Sequence, residues 1–193
     1  EYDSSTSGDA ALQVGDSLPM AYMSWNDAQM FVERLSELTG LAFRLPTEIE
    51  WVYAAKGGQR SKGYKFAGSD ILQEVAWCGT NANGEIKQVG QLRANELGTY
   101  DMSGNVWEFC SDVLSDGKIV AHGGSSSKVW SETHLKPEYR YLLAKGYKAN
   151  RLGLRLALDT AAYKVPEPAT PGKRIGVFSV AKDKQVSFSQ GNL

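Results

Sequence analysis

Residues 98–109 read Gly98-Thr-Tyr-Asp-Met-Ser-Gly-Asn-Val-Trp-Glu-Phe109, and this stretch decides the fold. Its first part sets Gly98, Asp101, Gly104 and Asn105 close together, which is turn composition. Its second part, from Val106 through Trp107 and Phe109 into Cys110, suits a short buried strand over 105–110. No helical stripe crosses it. The same character extends outward: residues 57–123 carry eleven glycines, from Gly57 to Gly123, and no 3.6-residue periodicity. Asn83-Gly84 has the composition of a hairpin turn, and further short strands are expected at 86–90 and 118–122.

Upstream, residues 24–39 make the clearest helix. Ser24 is a good N-cap and Asp27 stands three positions on, as in a capping box. Ala28, Phe31, Val32 and Leu35 form one apolar stripe, and Gly40 is placed to end the helix in the left-handed conformation. A second helix starts at Thr47, with Glu50 three positions on, and runs to about Lys56 before Gly57-Gly58. Glu48 and Glu50 are two apart and do not face each other on a helix, so they are not an acid/base pair.

Downstream, Leu152-Gly-Leu-Arg-Leu-Ala-Leu158 alternates with period two, which implies a half-buried strand with its leucines on one face. Val165–Gly172 holds three prolines and reads as a linker. Residues 175–180 and 185–189 alternate around Lys182-Asp183-Lys184 as a hairpin. The class is α+β. The expected organisation is a domain over 1–163, a Pro-rich linker over 164–174 and a hairpin over 175–193 that completes the domain or opens another module.

Composition narrows the function. Lys+Arg number 21 against 22 Asp+Glu, so no long-range field favours nucleic acid or an anionic membrane. No run approaches the roughly 20 apolar residues of a membrane helix, so direct membrane insertion is not expected. Two Cys and two His are too few for an ordinary four-ligand zinc site. Two readings stand for Cys78 and Cys110: one disulfide closing a loop of about 30 residues, or two small buried thiols. The start, Glu1-Tyr-Asp, reads as a processed or trimmed end.

Four segments stand out: Arg44-Leu-Pro-Thr-Glu-Ile-Glu-Trp51 with Ala54-Ala55; Gly98–Phe109; His122-Gly-Gly-Ser125; and Leu152-Gly-Leu-Arg-Leu156. With Ser24-Trp-Asn-Asp-Ala28 upstream, their order and spacing over roughly 18–159 resemble the formylglycine-generating enzyme (sulfatase-modifying factor) family. The resemblance implies a C-type-lectin-like variant fold with little regular structure. It also implies an exported, periplasmic or cell-surface location, and the end Val186–Leu193 looks like the opening of modules in exported Bacteroidetes proteins.

The family's oxidases bind copper(I) through two cysteines shortly after Gly-Gly-Ser. Lys128 and Thr133 stand at those positions, so neither copper binding nor formylglycine-generating activity is expected. Iron-dependent sulfoxide synthases on this fold need three histidines, and His122 and His134 are the whole supply. A structural calcium is implied at the Asp101 side chain, the Gly104 and Val106 carbonyls and the Glu108 side chain, a set of hard oxygens on a turn. The bland reading of the same residues is that Asp101 caps a turn and Glu108 pairs with an arginine.

Residues 125–150 border the family's peptide groove and are rich in Tyr, Trp, Arg and Lys. His122, Ser125, Trp130, His134, Tyr139 and Arg140 are the candidate ligand-binding residues. The expectation is a non-catalytic module that binds a protein, peptide or glycan. The alternatives are an enzyme of altered chemistry on the same scaffold, with His122 its central residue, or a structural component of an envelope assembly. Trp51 and Trp107 are read as core anchors, and Arg44 and Arg155 as internal ion-pair partners.

Overall fold

The structure is a computed structural model that describes residues 15–159 and the strand backbones at 176–181 and 184–188. The Pro-rich linker and the first residues of the chain lie outside the described residues. Helix α1 spans Trp25–Thr39. Its capping box is present: Ser24 Oγ accepts the Asp27 N–H (3.2 Å), and the Asp27 carboxylate accepts the Ser24 N–H (2.8 Å). Hydrogen bonds from Lys148 and Ser24 hold the Asp27 carboxyl below the usual carboxylate range. Gly40 ends the helix at φ 69°. Ala28 and Val32 are buried, with Trp25 and Phe31 packed beside them.

Strand β1 (Phe43–Arg44) leads into helix α2 (Glu48–Ala55). Glu50 caps α2 by accepting the Thr47 N–H, and it also receives both ends of the Arg44 guanidinium at 2.6 and 2.9 Å. Trp51, Ala54 and Ala55 on the inner side of α2 are fully buried. A four-residue helix α3 (Leu72–Val75) follows without a side-chain cap, and nothing in its composition announces it.

The remaining elements are short strands. Strand β2 (Ala76–Trp77) pairs in parallel with β3 (Ser103–Gly104). Strands β4 (Trp107–Val113), β5 (Ile119–His122), β6 (Tyr141–Leu143) and β7 (Leu152–Gly153) form a sheet in the order β6-β5-β4-β7. Strand β8 (Ala157–Asp159) lies between β1 and β10 (Lys184–Phe188), and β9 (Gly176–Ala181) closes that sheet's other edge. The C-terminal hairpin therefore hydrogen-bonds to the rest of the chain through the β10·β8 ladder, with Val186 opposite Asp159. The core lies between the helices and the β6-β5-β4-β7 sheet, around Trp107, Phe109, Leu45 and Leu154, with Trp51 at the centre of a second cluster.

Two expectations need correction. Residues 86–90 form no strand. The Asn105 side chain takes both backbone groups of Lys87, at 3.0 Å each, and Val89 N–H donates to Ser17 O, so the segment is satisfied without a ladder. The alternating run 152–158 is not one strand either. It splits into β7 and β8, which belong to different sheets, and Gly153, Arg155 and Ala157 are buried as well as Leu152 and Leu154. Period two there marks a crossing through the interior and not a solvated face, because Arg155 finds its partners inside.

The stretch 98–109 turns sharply because Asp101 (φ 59°), Gly104 (φ 84°) and Asn105 (φ 62°) adopt left-handed backbone conformations. Gly104 also runs against the backbone of Trp77, whose carbonyl oxygen a Cβ would meet at an impossible distance. The substitution Gly104→Ala is expected to lower stability by about 2–3 kcal/mol or more in denaturant titration. At Gly146 a Cβ meets nothing within 4 Å, and Gly146→Ala should cost nothing measurable.

Candidate functional site

Glu108 and Arg155 are both fully buried and form the charged centre of the domain. Arg155 Nε donates to Glu108 Oε2 and Arg155 Nη2 donates to Glu108 Oε1, each at 2.7 Å. Trp51 Nε1 donates to Glu108 Oε2 (2.7 Å), and Arg155 Nη2 also reaches the Tyr100 carbonyl (2.7 Å). Of the residues considered for calcium, Glu108 is thus engaged by an arginine and an indole. Asp101 differs. Its Oδ2 accepts the Gly90 N–H (2.7 Å), while its buried Oδ1 has no hydrogen-bond partner among the described residues. Burial raises the Asp101 carboxyl above its ordinary value, against the pull of the Gly90 amide and the Arg155 charge. Gly104 and Val106 are buried beside it in the chain. Among the described residues no group of three or more His, Cys, Asp and Glu side chains is placed to hold a metal.

His122 does not belong to a ligand-facing surface, contrary to expectation. It sits at the end of β5, fully buried, with its ring stacked on Trp51 (5.0 Å between centroids, 17° between planes). Its Nε2 lies 3.2 Å from Glu48 Oε1, and its Nδ1 has no hydrogen-bond partner among the described residues. Burial lowers the His122 pKa, with Glu48 acting in the opposite direction. Arg140 grips the same Glu48 carboxylate at 2.6 and 2.9 Å, and Glu138 pairs with Lys56 at 2.5 Å. These contacts dock the 136–140 loop on α2. Arg140 is therefore exposed but committed to an internal ion pair.

The other candidates gather around an aromatic cluster. Trp107 meets Trp130 nearly edge-on (5.3 Å, 84°) and Tyr141 at 4.9 Å, and Trp130 meets Tyr141 at 5.3 Å. His134 lies between Trp130 (4.9 Å) and Tyr139 (4.5 Å), and its Nδ1 lies 2.8 Å from Ser131 Oγ. Beside this cluster is a shallow cleft of about 20 Å³, room for one water molecule or one hydroxyl, lined by Trp107, Trp130, Tyr141 and Tyr147 with Ser125, Ser127 and Arg151. Of the six candidate residues, Ser125 and Trp130 line it. Arg140 is held by Glu48, and His134 and Tyr139 support Trp130 and the cluster from one side. Sequence reading missed Trp107, Ser127 and Arg151 as cleft residues. They come from β4, from the turn after Gly-Gly-Ser and from the turn before β7; the β4·β7 pairing sets Trp107 opposite Leu152, next to Arg151, and the Ser126 N–H bond to Asn105 O holds the serine turn beside them. Arg151 fixes that turn by donating to Ser126 Oγ (3.3 Å) and to the Gly84 carbonyl.

Lys128 is exposed. Cys78 and Cys110 are both buried and unbridged. Burial, reinforced by nearby carboxylates, raises the Cys110 thiol well above its ordinary value.

Two early capped helices, short strands in three small sheets and long irregular connections define an α+β domain of the C-type-lectin-like kind. A family model described as the sulfatase-modifying factor enzyme 1-like domain matches residues 2–160, and the chain belongs to that family. It is 33% identical over 110 residues to the formylglycine-generating enzyme of Streptomyces coelicolor, covering 50% of this chain and 33% of that protein. It is 32% identical over 101 residues to the inactive C-alpha-formylglycine-generating enzyme 2 of Bos taurus, covering 47% and 32%. It is 46% identical over 85 residues to the chaperone protein LppX of Paenibacillus barcinonensis, covering 35% and 30%. The matched stretch thus spans about a third of these relatives' length. Among solved structures, Treponema denticola variable protein 1 superposes with a TM-score of 0.68 at 24% identity, over 78% of this chain and 74% of that one.

Two expectations test this geometry. Arg155→Met leaves a buried carboxylate without its cation and should cost about 3–5 kcal/mol in denaturant unfolding. His122 has a folded pKa below its unfolded value of about 6.5. The unfolded chain therefore binds more protons below that value, and the stability contributed by neutral His122 is present above it and lost as pH falls. Unfolding free energy should decline from pH 7 towards pH 5, by at most about 1.4 kcal/mol per pH unit from this group, and His122→Gln should remove that part of the slope.

Proposed function

We propose that this chain is a non-catalytic sulfatase-modifying-factor-like domain of an exported or cell-surface protein, which binds a ligand on the face built by residues 125–151. The observation that carries the reading is the chemistry at 128 and 133. Copper(I) in the family's oxidases needs two thiolates, and Lys128 and Thr133 stand there by alignment from His122-Gly-Gly-Ser125. The cysteines the chain does have are buried, one in β4 and one beside β2, and the Cys110 thiol is held protonated by burial. The family holds both active and inactive members, as the named relatives illustrate. The placement of His122 against Trp51 supports a packing role for it and gives no support to a catalytic one. The likeness to a protein named a chaperone is compatible with binding. An assay of a cysteine-containing sulfatase peptide with added copper(I) should give no aldehyde, and turnover would overturn the reading.

A structural calcium at the 98–108 loop belongs to the same proposal. The Asp101 Oδ1 atom, buried and unpartnered, is the observation that suits a cation, with the Gly104 and Val106 carbonyls as further oxygens. Without a cation, an ionised Asp101 costs stability, because its folded pKa is raised and stability falls as pH rises through it. In chelator, Asp101→Asn should unfold at a higher temperature than the wild type. In millimolar calcium the wild type should gain stability and Asp101→Asn should not, and equal behaviour of the two proteins would remove calcium from the account.

A further inference from the structure

We propose that the cleft beside Trp130 takes a pyranose sugar, an inference that rests on reading the 125–151 face as a binding surface. Ser125 and Ser127 are 0% and 6% exposed, yet both line the cleft. Ser125 Oγ accepts only the Ser127 N–H, at 3.4 Å, and Ser127 Oγ accepts only the Val129 N–H, at 3.5 Å. Neither hydroxyl proton has an acceptor among the described residues; Ser125 is fully covered, so Ser127 is the donor that an acceptor in the cleft can reach. The wall opposite is aromatic, and ring faces carry partial negative charge that favours the C–H groups of a pyranose face. A hydroxylated ring answers both demands at once.

The cleft's depth separates this ligand from the others. An apolar or aromatic peptide side chain gains affinity by removing area from water. A shallow opening removes little of it, and such a side chain would leave the Ser127 donor without an acceptor. A sugar keeps its outer hydroxyls in water while one inner hydroxyl meets Ser127. A cationic group would suit the rings, but the lining contains Arg151 and no carboxylate. The Tyr147 hydroxyl, which has no protein partner among the described residues, adds a further polar contact at the rim.

The test titrates the full chain with methyl glycosides of glucose, galactose, mannose, N-acetylglucosamine and glucuronic acid, following the indole N–H resonances by NMR. N-acetylated amides of Phe, Tyr and Leu form the comparison arm. At least one glycoside is expected to bind saturably and to shift the Trp130 indole. Ser127→Ala and Tyr147→Phe remove only hydroxyls, so the fold should persist by thermal melting, while the dissociation constant rises about five- to tenfold for each. No glycoside binding, or glycoside binding indifferent to both variants, overturns the inference. Amides that bind at Trp130 where glycosides do not overturn the sugar and leave the surface reading standing. An oxidase turnover in the copper assay overturns that reading without touching the titration.

Discussion

The bidentate pair between Arg155 and Glu108 is the constraint on which the rest of the domain depends. Both groups are wholly buried, and moving two charges out of water costs several kcal/mol each before any attraction is counted. A pair in that position is weak evidence of net stability. Its effect is geometric. Glu108 lies on β4, Trp51 on α2, Tyr100 in the turn before β3, and Arg155 on the chain that crosses from β7 to β8. Four segments distant in sequence converge on one carboxylate, and any shift in register would strand a charge in the core. A domain with short strands and much irregular chain needs such a fixed point, because its ladders are too short to specify register by themselves.

What could be read from the sequence follows from how local each signal is. Helices α1 and α2 were legible because cap, carboxylate and apolar stripe lie within one or two turns of one another. The Arg44–Glu50 and Arg155–Glu108 partnerships were legible in type, since an arginine in an apolar context must find an internal acceptor. Residues 86–90 were not, because their hydrogen bonds go to an asparagine side chain 18 residues downstream. The leucine alternation of 152–158 misled because period two tells how side chains alternate and does not tell whether the second face meets water. His122 misled for a similar reason. Its titratable ring suggested a site, while the stack on Trp51 and the bond to Glu48 that make it a core residue depend on α2, 74 positions away.

The cleft residues were legible only in part. The richness of 125–150 in aromatic side chains pointed to the stretch that supplies most of the cleft lining. No local signal shows that Trp107 stands both in the core and in the cleft wall, or that Ser125 and Ser127 are nearly buried while lining an opening. Those facts follow from the left-handed turn at Gly123 and Gly124, which folds the serines under the aromatic cluster. The same turn holds the backbone through the Ser126 N–H to Asn105 O bond (2.9 Å).

The arrangement separates what fixes the domain from what faces a ligand. Residues 123–151 are tied at several points: Arg140 to Glu48, Glu138 to Lys56, Lys148 to Asp27, and Arg151 to Ser126 and Gly84. None of these ties uses Lys128 or Thr133. Side chains at those two positions can therefore differ without touching the anchoring contacts or the backbone that presents the aromatic cluster. The charge that fixes the fold lies beneath the face, in Glu108 and Arg155. The rings and serine hydroxyls that line the cleft take part in no structural ion pair.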